Sequence, residues 1–204
     1  MRGGYRDVYV ANSDGSGQRR LIKRGLQPQW SPDGRRIAFT SLRDGNWELY
    51  VANADGTGEQ RLTRNPGYDG YPAWSPDGRT IFFYGHSPDG RSQGIYVMNA
   101  DGSGQRNVTR EWGLTSLPVW SPDGRKIAFV RSDDIYVMNA DGSGQRRLTR
   151  SPSWDGNPTW SPDGRKIAFK RSGDIYVMNA DGSGQRRVMR NAFSLAWSPV
   201  QKGK

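Results

Sequence analysis

The chain has 204 residues with 30 Lys and Arg against 20 Asp and Glu, a net charge of +10, and no cysteine. The missing cysteine excludes disulfides, thiolate metal sites and cysteine nucleophiles, and no run approaches the ~20 apolar residues that a membrane-spanning helix needs. Only 33% of residues are apolar, whereas 27 Gly, 8 Trp and 9 Tyr give a composition rich in turns and in strands that bury area through few large rings.

The chain is an internal repeat. Trp30, Trp74, Trp120 and Trp160 each open the phrase Trp-Ser-Pro-Asp-Gly followed by a basic-apolar segment, clearest as Trp160–Phe169, and a fifth copy breaks off at Trp197-Ser198-Pro199. Successive tryptophans lie 44, 46, 40 and 37 residues apart. A period near forty built from strand-like pieces predicts one four-stranded unit per repeat. Within a unit, a short first strand ends at the Trp, as in Pro158-Thr159-Trp160. Ser-Pro-Asp-Gly then turns the chain, because Pro presets φ, Asp bonds its own backbone and Gly accepts positive φ. The second strand is Lys166–Phe169 and the third Asp174–Asn179. Asp181-Gly-Ser-Gly184 makes a hairpin turn into a fourth strand, Gln185–Arg190. Ile175-Tyr-Val-Met178 is apolar at successive positions, which predicts a strand packed on both faces, while the Arg-rich fourth strand reads as a charged outer edge. No segment reads as a helix.

Counting these units gives a fold: an all-β, five-bladed β-propeller of four-stranded antiparallel blades, forming a single domain over 1–204. Complete blades cover about 28–64, 72–110, 118–150 and 158–190. Residues 7–23 supply only a third and fourth strand and 193–198 only a first strand, so the ring is expected to close through a composite blade from both termini whose second strand is nearly missing.

The two phrases together, WSPDGxxIAF and IYVMNADGSGxxRLT, resemble the repeat of TolB-type β-propellers, and the resemblance covers essentially the whole chain. The chain departs from that family in having no α/β domain or hydrolase domain beside the propeller, and five blades where TolB has six. The resemblance implies a non-catalytic scaffold that binds a protein or other ligand, in a periplasmic or other extracytoplasmic setting, although no signal-peptide pattern opens this sequence. Two other readings stay open. Ile135–Arg147 and Ile175–Arg187 are identical, which fits recent amplification or an engineered propeller with no selected ligand. The arginines of the outer strands, among them Arg19, Arg20, Arg106, Arg146, Arg147, Arg186 and Arg187, could instead bind an anionic polymer such as nucleic acid, although edge protection explains them more simply. A monomer is expected, with strand exchange between chains as the alternative.

Enzymatic chemistry finds little to use. Ten of the 20 acids stand in Asp-Gly turns. The Asp-Gly-Ser-Gly loops lack the later Glu of a calcium loop, and no dinucleotide motif is complete, so neither metal nor cofactor is expected. His86 is the only histidine and is read as lying in an exposed loop. The repeats disagree mainly in the connections between fourth and first and between second and third strands. Binding belongs on such variable loops, and their candidate residues are Trp47, Tyr68, Asp69, Tyr71, His86, Trp112, Trp154 and Asp155.

Overall fold

The structure is a computed structural model and describes residues 6–87, 89–91, 93–109, 115–192 and 197. Among the described residues all regular structure is strand, as the turn spacing requires. The chain forms two compact units, residues 1–111 and 112–204.

The first unit begins with a hairpin of β1 (Val8–Val10) and β2 (Arg19–Ile22). Two four-stranded antiparallel blades follow. Blade A comprises β3 (Leu26–Trp30), β4 (Arg36–Ser41), β5 (Glu48–Asn53) and β6 (Gln60–Arg61). Blade B comprises β7 (Gly70–Trp74), β8 (Thr80–His86), β9 (Gln93–Asn99) and β10 (Arg106–Asn107). The second unit holds blade C, β11 (Thr115–Trp120), β12 (Lys126–Arg131), β13 (Asp134–Asn139) and β14 (Arg146–Arg147). Blade D completes it, with β15 (Asp155–Trp160), β16 (Lys166–Arg171), β17 (Asp174–Asn179) and β18 (Arg186–Met189). In every blade each strand pairs with its sequence neighbour. Hairpin β1–β2 corresponds to the third and fourth strands of a blade. Of the expected composite blade, 193–196 and 198–204 lie outside the described residues.

The turn chemistry works as its residues dictate. Ser31 Oγ donates to Asp33 Oδ1 at 2.6 Å, Arg35 N donates to the same oxygen at 3.1 Å, and Arg36 N donates to Ser31 Oγ at 2.9 Å. The Ser31 hydroxyl and the Arg35 amide together hold the Asp33 carboxyl below its ordinary range. Ser161 and Asp163 repeat the set. In the third-to-fourth turns, glycine is needed for two reasons. Gly56 sits at φ 90°, and a Cβ there would lie 2.5 Å from the backbone oxygen of Leu21 in the preceding fourth strand. Gly102 against Leu62 and Gly182 against Leu148 make the same approach, each at 3.2 Å. The Asp-Gly phrase is therefore constant because it both turns the chain and packs on the neighbouring repeat.

Apolar positions of adjacent repeats share core clusters, Leu49 and Val51 with Ile81 and Phe83 in the first unit and Val130 and Val137 with Ile167 and Phe169 in the second, and rings stack within each blade. Phe39, Phe83, Phe129 and Phe169 of the second strands are fully buried. Each stacks on the Tyr opposite it in the third strand, Tyr50, Tyr96, Tyr136 or Tyr176, with centroids 5.5–5.8 Å apart. Such pairs contribute about 0.5–1.5 kcal/mol beyond the area they bury. The repeat tryptophans tie one first strand to the next. Trp74 Nε1 donates to Gln29 O and Trp160 Nε1 to Val119 O, both at 3.1 Å. Trp197 Nε1 donates to Thr159 O at 3.2 Å, so the fifth, truncated copy keeps the same link.

A second recurring device joins the third and fourth strands. Asp7 with Arg20, Glu48 with Arg61, Asp134 with Arg147 and Asp174 with Arg187 are ion pairs at equivalent positions. Blade B has Gly94 and Asn107 there, so acid and base were exchanged together.

Candidate functional site

The first strands are longer than the tryptophan phrase suggests, and this places the candidate residues. In β7, Gly70 pairs with Tyr84 and a bulge follows before Ala73 pairs with Phe82. In β15, Gly156 pairs with Lys170 before a bulge to Thr159 and Ala168. Tyr71 and Asp155 are thus strand residues rather than loop residues. His86 is the last residue of β8, paired with Gln93, and not part of a free loop as the sequence reading had it. The bulge has a strained signature. Gln27, Tyr71 and Asn157, each just before a proline, have φ of 52°, 56° and 50°. That region is disfavoured for side-chain-bearing residues, and tertiary contacts hold it here.

In the first unit, four candidates come together around Tyr68. Its ring centroid lies 6.4 Å from Trp47 and 6.1 Å from both Tyr71 and Tyr84. His86 meets Tyr84 edge-on at 6.2 Å. Two glycines make the closure feasible. A Cβ on Gly70 would sit 2.3 Å from the Tyr68 hydroxyl, and one on Gly67 would sit 2.4 Å from His86 Cγ. Gln27 of blade A anchors the group: its Oε1 accepts from Tyr71 N at 3.0 Å and from Thr40 Oγ1 at 2.9 Å. Burial pushes the Tyr68 hydroxyl up to about 12, so it stays protonated. His86 Nδ1 lies 2.9 Å from Tyr68 O. A carbonyl can only accept, so Nδ1 carries the proton and Nε2 is the acceptor in the neutral ring.

Asp69 lies beneath these rings with no exposed surface. Its Oδ1 accepts from His86 N at 3.1 Å and its Oδ2 from Asn65 Nδ2 at 2.8 Å, while its own N donates to Trp47 O at 2.9 Å. No cation pairs with it among the described residues. Burial, reinforced by the nearby Glu48 charge and opposed by the His86 amide, pushes its carboxyl up to about 6.

In the second unit, Trp154 and Asp155 repeat the aromatic-Asp-Gly triplet of Tyr68-Asp69-Gly70. Trp154 is 43% exposed and lies over Gly156, where a Cβ would be only 2.0 Å from its ring. Asp155 is fully buried, and Arg171 closes on it with two bonds, Nε to Oδ1 at 2.6 Å and a terminal nitrogen to Oδ2 at 2.7 Å. The guanidinium also covers the rings of Phe169 and Tyr176, 5.2 and 4.7 Å from their centroids. Trp112 lies outside the described residues. Reading by loop variability missed Gln27, Asn65 and Tyr84. The repeated aromatic-Asp-Gly triplet, aligned on the tryptophans, was the signal that could have located the site's floor.

Several rim arginines are held by the chain itself. Arg20, Arg147 and Arg187 are in the ion pairs above, and Arg19 and Arg146 donate to the backbone oxygens of Asp55 and Asp181 in the next turn. No group of three or more potential metal-ligating His, Asp or Glu side chains occurs among the described residues. No helix among them is long and apolar enough to cross a membrane.

Repeating antiparallel blades, each braced by an internal ring stack and joined by tryptophan bonds between first strands, define a β-propeller. The family of the TolB beta propeller domain matches residues 1–134 and 112–202, and the chain belongs to that family. Among solved structures it is similar to TolB from Acinetobacter baumannii, with 25% identity, a TM-score of 0.74, and coverage of 89% of this chain and 48% of the other. A putative TolB from Agrobacterium tumefaciens gives 25% identity and a TM-score of 0.71 over 89% of this chain and 79% of that one. An oligogalacturonate lyase from Vibrio parahaemolyticus shares the fold at 13% identity, with a TM-score of 0.67 over 96% of this chain and 62% of the lyase. The chain therefore spans about half the length of the Acinetobacter protein. A comparison with curated protein sequences returns no match.

Proposed function

We propose that the chain is a non-catalytic binding scaffold, and that in the first unit it engages a protein ligand through Trp47, Tyr68, Tyr71 and His86, with Tyr84 completing the aromatic group. The observation that carries this is Tyr71. It is 37% exposed in a strained backbone conformation, yet its ring rests on Tyr68 and its amide is fixed by Gln27. An exposed ring that is rigidly presented loses little entropy on binding, which is the property of an interface anchor. Asp69 acts from below as a positioning residue, holding His86 and the Asn65–Gly70 connection. Trp154 offers the second unit a comparable exposed ring, with Asp155 and Arg171 as its rigid floor.

The non-catalytic reading is supported by the commitment of the single imidazole. One of its nitrogens is fixed on Tyr68 O, and no serine or other nucleophile is bonded to the ring among the described residues. The likeness to TolB supports a protein as the ligand, and the lyase shares only the fold. The test is affinity capture on immobilised chain from an extract, followed by measurement of the recovered partner on Tyr71→Ala and Trp47→Ala variants. Loss of roughly tenfold in affinity with an unchanged melting temperature is expected. Equal affinity in both variants rejects the site.

A further inference from the structure

Among the described residues, blades A, C and D each lay an arginine on the third-strand tyrosine, and blade B does not. Arg43 covers Tyr50, Arg131 covers Tyr136 and Arg171 covers Tyr176, each 4.7–4.8 Å from the ring centroid. In blade D the same guanidinium neutralises Asp155 with two bonds. In blade B the residue at the register of Arg171 is Gly85, and no described guanidinium reaches Tyr96. Asp69, the counterpart of Asp155, is therefore buried with no described cation against it.

The groups above that carboxylate are electron-rich. Trp47, Tyr71 and Tyr84 have ring centroids within 6.4 Å of Tyr68, and ring faces of this kind attract cations. The His86 ring commits Nδ1 to Tyr68 O, and its Nε2, the acceptor of the neutral ring, bonds no described residue. The Tyr84 hydroxyl is already spent as a donor to Gln93 Oε1 at 2.5 Å. The nearby arginines are engaged too: Arg61 with Glu48 at 2.7 Å and with Asp44 at 3.4 Å, and Arg43 with Glu59. Asp69, pushed up to about 6 by burial, is still ionised at neutral pH, and a buried charge is screened far less than an exposed one. The site thus presents ring faces and an open acceptor, backed by a negative charge.

Taking these residues as the binding site, as proposed above, we infer that the side chain they receive from the protein partner is an arginine, its guanidinium lying on the exposed ring faces and donating to His86 Nε2. Arginine fits better than lysine because its planar, weakly hydrated head stacks on rings while its N–H groups stay free to donate. Blade D displays the same chemistry within the chain, a guanidinium shared between an aspartate at this position and two rings. In the second unit that demand is already met by Arg171, so Trp154 offers a ring with no unpaired charge behind it and takes no such anchor.

The probe is Nα-acetyl-arginine methylamide, compared with its neutral isostere Nα-acetyl-citrulline methylamide. Each is titrated into the whole isotope-labelled chain at neutral pH and followed by NMR at the Trp47 indole N–H and the Tyr71 amide. The arginine compound should shift both signals saturably, and the citrulline compound should bind roughly tenfold more weakly. In Asp69→Asn the two compounds should bind alike, whereas a loss of positioning alone would weaken both together. Four results overturn the inference: no saturable shift with the arginine compound, equal binding of the two compounds to the natural chain, a preference for arginine that survives Asp69→Asn, or equal shifts at the Trp154 indole. Equal binding of the two compounds leaves the protein interface itself standing, because that is tested by the captured partner on Tyr71→Ala.

Discussion

Asp69 and Asp155 stand at the same point of the repeat, each between an aromatic residue and a glycine, and each is wholly buried. They solve the burial of a carboxylate in opposite ways. Asp155 lies across the strand pair from Arg171 and takes a two-bond cation. At the same register position in blade B, next to the Gly70–Tyr84 pair, the residue facing Asp69 is Gly85, where even a Cβ would come within 2.6 Å of Asp69 Oδ1. Asp69 is left with neutral donors, and burial drives its carboxyl up to about 6. The same backbone position is thus a clamped ion pair in one unit and a titratable group under an aromatic surface in the other. The change was made on the opposing strand, not at the aspartate.

The largest effect that would break this contrast is at Arg171. Arg171→Ala leaves Asp155 buried and unpaired and uncovers Phe169 and Tyr176. It should cost about 3–5 kcal/mol in urea denaturation, and a loss below about 1 kcal/mol would mean the pair is not the clamp its geometry suggests. Asp69 gives the next effect, and its sign is set by proton uptake. A carboxyl raised from 3.8 to about 6 favours the protonated folded state. Its contribution is fully present below pH ~4 and is lost as the pH rises through 6, on the order of 2–3 kcal/mol across that window. Asp69→Asn removes the titration. The variant should therefore gain stability relative to the natural chain between pH 4 and 7, and melting curves that stay parallel over that range would refute the assignment. The smallest effect is expected at Arg187, whose pair with Asp174 is solvent-exposed on the outer edge of blade D. Arg187→Ala should barely move the melting temperature, because exposed pairs are screened and entropically costly. A clear drop would show the rim arginines to be structural beyond edge protection.

Repetition made most of the fold legible. Once Trp30, Trp74, Trp120 and Trp160 are aligned, the Ser-Pro-Asp-Gly and Asp-Gly-Ser-Gly turns divide each unit into its strands, and the turn residues act locally enough to be read without a structure. Tyr68, Tyr71 and His86 could be singled out because they lie where the copies disagree. Their arrangement could not be read, since it depends on a bulge before a proline, on Gly67 admitting the His86 ring from β8 and on Gly70 leaving room for the Tyr68 ring. The strand role of His86 was hidden for the same reason: its pairing with Gln93 is a property of register, not of composition.

Strand content, turn positions, repeat boundaries and the charged outer edge were determined by the sequence itself, because each rests on residues within a few positions of one another. The fates of Asp69 and Asp155 and the aromatic group around Tyr68 were decided only by tertiary structure. In each case the deciding atom belongs to another strand or another repeat: Gly85 or Arg171, and Gln27 reaching across from blade A. A one-dimensional pattern can say that a carboxylate or a ring is present. Which neighbour desolvates it, pairs it or leaves it open is settled by packing.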